Sequence, residues 1–186
     1  MEDAEIIRLY EERDQQAISR SQERYGGYCY SIGYNILYSK EDTEECVNET
    51  WLKAWNAIPP KKPGKLSVFL GSITRNLALD RYKGRKRIKR GGGEFPQILE
   101  ELDECVPDRS TTDEEIDRKL LGEILSRFVA SLSEQDRAVF LSRYWYAMPI
   151  KSISEKFSLN ENTVKSVLFR SRSKLKKRLE EEGITV

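Results

Sequence analysis

The chain has 186 residues, a formal net charge of +1 and a charged fraction of 34%. It contains no histidine, which excludes Ser-His-Asp and Cys-His catalysis as well as a Cys/His zinc finger. Its three cysteines, Cys29, Cys46 and Cys105, lie far apart, so we expect reduced thiols rather than a disulfide framework or a metal site.

The N-terminal part, residues 1–90, is predicted to be a small helical domain, because its apolar residues recur at helical spacing. Its acidic start lacks the apolar region of a signal peptide. No segment of the sequence reaches the ~18 consecutive apolar residues of a membrane-spanning helix. We therefore expect a cytoplasmic protein without membrane insertion.

The segment EDTEECVNETWLKAWNAI, residues 41–58, is predicted to be an amphipathic helix with two distinct faces. The inward face is apolar and consists of Val47, Trp51, Ala54, Trp55 and Ile58. The outward face is acidic around one apolar residue and consists of Asp42, Glu45, Glu49, Leu52 and Asn56. An outward leucine with a charged rim is typical of a protein-contact surface. A two-metal nuclease site is the alternative for these carboxylates, although no second acidic cluster lies in the setting of a buried pocket.

The next predicted helix begins at Leu66 and ends in a run of arginine and lysine. Leu66, Leu70, Ile73 and Leu77 form its buried stripe. Residues 61–90 hold eleven cations and one anion, Asp80, which indicates a surface for a polyanion. Aromatic residues near these cations are suited to binding a nucleic-acid strand whose bases are unstacked. The alternative is an ordinary place in the protein core, which is favoured for Trp51 and Trp55.

A flexible acidic linker is predicted over residues 91–112, which contain a glycine run and two prolines. Residues 94–118 hold ten anions and two cations. A short helix is expected within the linker, around Ile98–Leu102. The linker separates the N-terminal unit from a second helical unit over residues 113–186.

The second unit contains signals for three successive helices. Ser133 is predicted to cap a helix that runs to about Ala147, and Pro149 suits the first turn of the next helix. After a turn at Ser158, Asn160 is predicted to cap the last helix. That helix buries one apolar stripe at helical spacing: Val164, Val167, Leu168, Ser171, Leu175 and Leu179.

The outer faces of the last helix carry seven cations between residues 165 and 178, and no anion. A short helix, a tight turn and a longer basic helix are typical of a helix-turn-helix, whose second helix enters the major groove of DNA by its N-terminal end. An ordinary amphipathic helix with a basic outer face is the alternative.

Three motifs in order resemble bacterial sigma factors of the extracytoplasmic-function (ECF) class. DTEECVNETWLKAW resembles the acidic helix of region two, and ITRNLALDRYKGRKR resembles the segment that follows it. The third motif, residues 132–175, resembles region four with its T-V-K-S recognition helix. The resemblance implies an all-α fold of two small helical domains joined by the linker. It also implies a transcription initiation factor that is not an enzyme and needs no cofactor or metal.

The resemblance further implies partners and site residues. Core RNA polymerase, through its β′ clamp helices and its β subunit, and promoter DNA are the implied partners, and an anti-sigma factor is a further one. The implied polymerase-binding residues are Asp42, Glu45, Asn48, Glu49, Thr50 and Leu52. Those implied for the minus-ten element are Arg75, Asn76, Asp80, Lys83, Arg85, Lys86 and Arg87. Those implied for the minus-thirty-five element are Asn162, Thr163, Lys165, Ser166, Phe169, Arg170 and Arg172.

Three positions depart from the family pattern. Val167 stands where arginine is frequent, so we expect one DNA contact to be missing. Ser158 replaces the glycine of the turn, where a left-handed conformation costs ~1 kcal/mol more than with glycine. Ser152 stands where glutamate is common, and the loop at residues 59–65 has an unusual composition. A DNA-binding regulator that acts without polymerase is the rival to the sigma-factor interpretation, since it also explains the helix-turn-helix.

Overall fold

The computed structural model describes residues 2–86, 94–103, 105 and 114–184, without the side chains of residues 85, 86 and 114–119. All regular elements within these ranges are helices, which confirms the predicted all-α fold. In chain order they are α1 (Asp3–Glu11), α2 (Gln16–Leu37), α3 (Lys40–Ala57), α4 (Leu66–Lys86), α5 (Phe95–Asp103), α6 (Glu114–Ser131), α7 (Glu134–Tyr144), α8 (Ile150–Phe157) and α9 (Glu161–Glu181). The chain divides into two compact units, Met1–Gly93 and Glu94–Val186.

The first unit is built on the mutual packing of α2, α3 and α4, with α1 against α2. The predicted inward face of α3 is buried, with Trp51 4% exposed and Ala54 and Ile58 fully enclosed. Trp55 is half-buried beside Tyr10, and the two ring centroids are 6.2 Å apart. Both tryptophans therefore belong to the core, as the sequence favoured.

Buried polar contacts join α3 to α4. The hydroxyls of Thr50 and Thr74 are 3.0 Å apart and either can donate to the other, and each also lies within hydrogen-bond distance of a carbonyl of its own helix, at Cys46 and Leu70 respectively. The thiol of Cys46 donates to the carbonyl of Thr74. Burial raises the pKa of Cys46 and of Cys29 to about 11, so both are neutral thiols at physiological pH. All three cysteines are buried and free.

The second unit packs α6, α7 and α8 against α9. The buried residues of α9 are the six that helical spacing predicted: Val164, Val167, Leu168, Ser171, Leu175 and Leu179. Ile150 and Ile153 of α8 are buried against them, and Phe157 is half-buried. The apolar seam therefore fixes which faces of α9 remain on the surface.

Local sequence signals begin and end the helices around this seam. The Ser133 side chain accepts a hydrogen bond from the Asp136 amide at 3.2 Å, and the Asn160 side chain accepts one from the Thr163 amide at 2.8 Å, as expected of N-caps. Ser158 adopts the predicted left-handed conformation, with φ 53°. The helix expected to reach about Ala147 ends earlier, at Tyr144, and Ala147 lies beyond its end in the left-handed conformation, with φ 52°.

The interval 91–112, expected to be a flexible linker, contains the packed helix α5. Phe95 and Ile98 of α5 are 1% and 0% exposed, and Glu94 lies 2.7 Å from the guanidinium of the fully buried Arg143. Residues 94–103 are therefore part of the second unit rather than a free tether. Residues 91–93, 104 and 106–112 of the expected linker lie outside the described residues.

Candidate nucleic-acid and protein interfaces

The first turns of α9 present a polar surface. Asn162, Thr163, Lys165 and Ser166 are exposed there, since Val164 and Val167 turn into the core. One turn further on lie Arg170, which is exposed, and Phe169, whose large apolar ring is 64% exposed. These are six of the seven residues expected to meet the minus-thirty-five element. They lie in the N-terminal part of α9, which is the part by which the second helix of a helix-turn-helix enters a major groove. The Lys165 ammonium lies 3.9 Å from Glu161, at a distance that leaves it available to another partner.

The seventh residue, Arg172, is not on this open surface, so the expectation of a free DNA contact there is corrected. Its side chain is 16% exposed. Its Nη1 donates to the Tyr144 hydroxyl at 2.8 Å and lies 3.5 Å from Oε2 of Glu101. Burial is the main cause of a raised pKa at Tyr144, so this hydroxyl keeps its proton and can donate to Glu101 at 2.9 Å. Arg172 is held inside the second unit by α5 and α7.

Position 167 also differs from the expectation. Val167 is 4% exposed and belongs to the apolar seam of α9. A side chain at this position points into the core, so valine here removes no contact with DNA. Ser152, the third departure, is half-buried on α8.

The outward face of α3 exposes Leu52, whose side chain is 58% exposed. Glu45 and Asn48 are exposed beside it, and Asp42 and Glu49 are half-buried. The structure thus brings five of the six predicted polymerase-binding residues to one side of α3. This is an apolar anchor with a charged rim, the arrangement typical of protein-contact surfaces.

Thr50, the sixth predicted residue, is corrected. It is fully buried, and its hydroxyl is occupied by Cys46 and Thr74 between α3 and α4. Thr50 therefore contributes to this surface only by fixing α3 on α4.

Arg81 of α4 is a residue of this surface that sequence reasoning missed. Its guanidinium lies 2.7 Å from Glu45 and 3.2 Å from Glu49. Hydrogen bonding to Glu45 is the main cause that raises the pKa of Arg81. The signal available in the sequence was the position of Arg81, one helical turn after Leu77 and at the start of the basic run. The pair offsets part of the negative charge that the α3 face presents to a partner.

The carboxylates of α3 do not form a metal centre. Across residues 2–86 and the described parts of the second unit, no three Asp, Glu or Cys side chains are grouped so that they could hold a metal ion. The two-metal nuclease alternative therefore has no ligand cluster among the described residues. Within the same ranges, none of the helices combines the length and apolar character needed to cross a membrane.

The outer side of α4 carries the residues expected to contact the minus-ten element. Asn76, Asp80 and Lys83 are exposed. Arg75 is half-buried, and burial lowers its pKa, although an arginine remains charged at neutral pH. Arg85 and Lys86 belong to the last turn of α4, but their side chains are outside the described part of the structure, and Arg87 lies outside the described residues altogether.

Comparison with known proteins finds a family model that matches each of the two units. The family model for Sigma-70 region 2 matches residues 22–88, and that for Sigma-70, region 4 matches residues 122–175. The chain is 29% identical to the ECF RNA polymerase sigma factor SigL of Mycobacterium tuberculosis over 150 residues, which cover 76% of this chain and 77% of SigL. It is 26% identical to SigE of Mycolicibacterium smegmatis over 79% of this chain, but this match spans only 55% of SigE.

Two further similarities extend over nearly the whole chain. The ECF RNA polymerase sigma factor SigW of Bacillus subtilis is 23% identical over 93% of this chain and 94% of SigW. The solved structure of CnrH in complex with the cytosolic domain of CnrY has a TM-score of 0.45 and 18% identity, covering 96% of this chain and 97% of that one.

An acidic helix with an exposed leucine in one unit and a helix-turn-helix in the other are the features expected of a transcription factor that contacts both protein and DNA. The two region models, together covering most of residues 22–175, make the assignment specific. The chain belongs to the sigma-70 family of RNA polymerase sigma factors, in the ECF class.

Proposed function

We propose that the protein binds core RNA polymerase through the exposed face of α3 and directs it to promoters through α4 and α9. The α3 face, centred on Leu52, is assigned to the clamp helices of the β′ subunit. The outer side of α4 is assigned to the minus-ten element and to melting of the duplex. The exposed N-terminal turns of α9 are assigned to the minus-thirty-five element.

The observation that carries this proposal is the exposure of two different surfaces on one chain. Leu52 is 58% exposed and lies within an acidic rim. Binding to DNA alone does not explain such a surface, whereas binding to a protein partner does. The exposed turns of α9 have the polar, partly cationic character of a major-groove reader. A regulator that acts without polymerase explains the second surface but not the first.

Each contact on α9 has a distinct expected role. Lys165 and Asn162 in the first turns are suited to base edges, since a helix enters the groove by this end. Arg170 and the exposed lysines further along are suited to phosphates. Phe169 places an apolar ring on the same face, where thymine methyl groups are the apolar feature of the groove.

The remaining assignments follow from the same role. A sigma factor redirects the chemistry of the polymerase and needs no active site, cofactor or metal of its own. Since bacterial polymerase and promoters are in the cytoplasm, the protein acts there. An anti-sigma factor is proposed as a further partner on the sequence resemblance, and the α3 face is the surface whose occupation would block polymerase binding.

Run-off transcription with purified core polymerase tests the proposal. Templates are selected from a randomised promoter library by the reconstituted holoenzyme, and transcripts are measured with and without the protein. We expect transcripts of defined length only when both core polymerase and the protein are present. Specific DNA binding by the isolated protein, together with no transcript from any selected template, would establish the rival regulator instead.

A further inference from the structure

Glu101 of α5 lies at the centre of a charged cluster inside the second unit. Its carboxylate accepts hydrogen bonds from Arg143 at 2.8 Å and 3.3 Å and from the Tyr144 hydroxyl at 2.9 Å. The same carboxylate lies 3.5 Å from Nη1 of Arg172 on α9. An acidic helix that precedes the helix-turn-helix in sequence is thus paired with a cation of the recognition helix.

Arg172 lies at the edge of the proposed DNA-binding surface. It follows Lys165 by seven residues, nearly two helical turns, so the two side chains leave α9 on the same side. Both also line one groove, whose other wall is formed by the α5 residues Gln97, Glu100 and Glu101. A guanidinium released from Glu101 at this position would face the same partner as Lys165 does.

The cluster holds its two arginines to different degrees. Arg143 is fully buried and is also bound by Glu94 at 2.7 Å and by the Met148 carbonyl at 3.1 Å. Arg172 keeps 16% of its side chain exposed and lies farther from Glu101 than Arg143 does. Arg143 therefore anchors α5 to the unit, whereas Arg172 can exchange its partner while that anchor remains.

We propose that α5 tunes promoter affinity by withholding Arg172 from DNA, with Glu101 and the Tyr144 hydroxyl occupying the guanidinium in place of a backbone phosphate. Carboxylate and phosphate compete for the same donors, because a guanidinium binds both in the same planar manner. Release from Glu101 adds one phosphate contact to the minus-thirty-five interaction. This inference rests on the proposed role of α9 in DNA binding.

The first test compares two arginines of the same helix. Arg172→Gln and Arg170→Gln remove the same charge two residues apart, and only Arg170 is exposed. Holoenzyme made with each full-length variant binds a selected promoter fragment at salt concentrations from 50 to 200 mM. Each phosphate contact contributes about 0.9 to the slope of log affinity against log salt. We expect Arg170→Gln to flatten the slope by about 0.9 and Arg172→Gln to leave it unchanged.

The second test releases Arg172. Glu101→Gln is expected to steepen the salt slope by about 0.9, which changes the affinity ratio between 50 and 200 mM by about threefold to fourfold. The double variant Glu101→Gln with Arg172→Gln should return to the wild-type slope. Asp103→Asn is the matched control, since it removes one negative charge from the exposed side of α5. Circular dichroism establishes that each variant is folded.

The outcomes separate the inference from the function on which it rests. If Arg172→Gln flattens the slope as much as Arg170→Gln, Arg172 already contacts phosphate and the inference is wrong. This comparison of the two arginine variants leaves the Arg143 anchor intact, so it remains valid even if the Glu101→Gln protein does not fold. A folded Glu101→Gln protein with the slope of the Asp103→Asn control also overturns it. If neither arginine substitution nor a change of the minus-thirty-five element alters promoter binding, α9 does not read DNA and the proposed function itself is wrong.

Discussion

Leu52→Ala gives the sharpest test of the polymerase interface. The substitution removes three carbon atoms, and burying each is worth about 0.8 kcal/mol. Because the leucine is 58% exposed in the free protein, just over half of this burial is left for a partner to supply. We expect core polymerase to bind the variant with a loss of roughly 1–1.5 kcal/mol, about tenfold in affinity.

A matched control is available in Val68, which is 53% exposed on α4 rather than α3. Val68→Ala also truncates an exposed apolar side chain, and we expect core binding to change by less than about twofold. Affinity is measured by competition between each unlabelled variant and fluorescently labelled wild-type protein for core polymerase. Substitution of Glu49 is less informative, because it also breaks the pair with Arg81 within the first unit.

The reasoning would be refuted by equal affinities of the folded Leu52→Ala and Val68→Ala proteins for core polymerase. Equal losses would mean that exposed apolar area in general, and not the α3 face, determines the affinity. A loss confined to Val68→Ala would move the interface to α4. Thermal unfolding of both variants checks that neither effect comes from a change in stability.

Two further predictions concern the second unit. Arg143→Met is expected to lower the free energy of unfolding of the second unit by about 3–5 kcal/mol, because two carboxylates lose a buried cation. Chemical denaturation measures this change. An unchanged denaturation midpoint would show that the cluster contributes nothing to stability. Lys165→Ala is expected to lower promoter-binding free energy by ~1–3 kcal/mol and to relax base preference at one or two upstream promoter positions. Lys177→Ala, in contrast, should weaken binding to all promoters alike. Holoenzyme binding to a promoter library measures both effects. Uniform weakening by Lys165→Ala would assign that lysine to a phosphate and base reading to other residues.

Features that depend on neighbours in sequence were predictable. The buried stripe of α9 follows from spacing of three and four residues, and the Asn160 cap involves an amide only three residues away. The exposed position of Leu52 followed in the same way, since the apolar residues around it define the opposite face of one helix. Such patterns need no knowledge of what packs against the helix.

Features that depend on distant partners were not predictable from these patterns. Thr50 shares the polar side of its helix with exposed residues, and only its contact with Thr74, 24 residues later, places it inside. In the sequence, Arg172 resembles its basic neighbours. Only the fold brings Tyr144, 28 residues earlier, and Glu101 into contact with its side chain. The sequence 95–103 is acidic and proline-containing, which concealed that two of its apolar residues, Phe95 and Ile98, are buried in a core.

The contacts of Glu94 determine where a force on the preceding chain would act on the second unit. One of its carboxylate oxygens lies 2.7 Å from Arg143 and accepts a hydrogen bond from the amide of Ile150, the first residue of α8. A force applied to the chain ahead of residue 94 would therefore act on the start of α8 through these two contacts. Residues inserted ahead of Glu94 lengthen the path between the first unit and this attachment point, whereas residues inserted after Asp103 leave that path length unchanged.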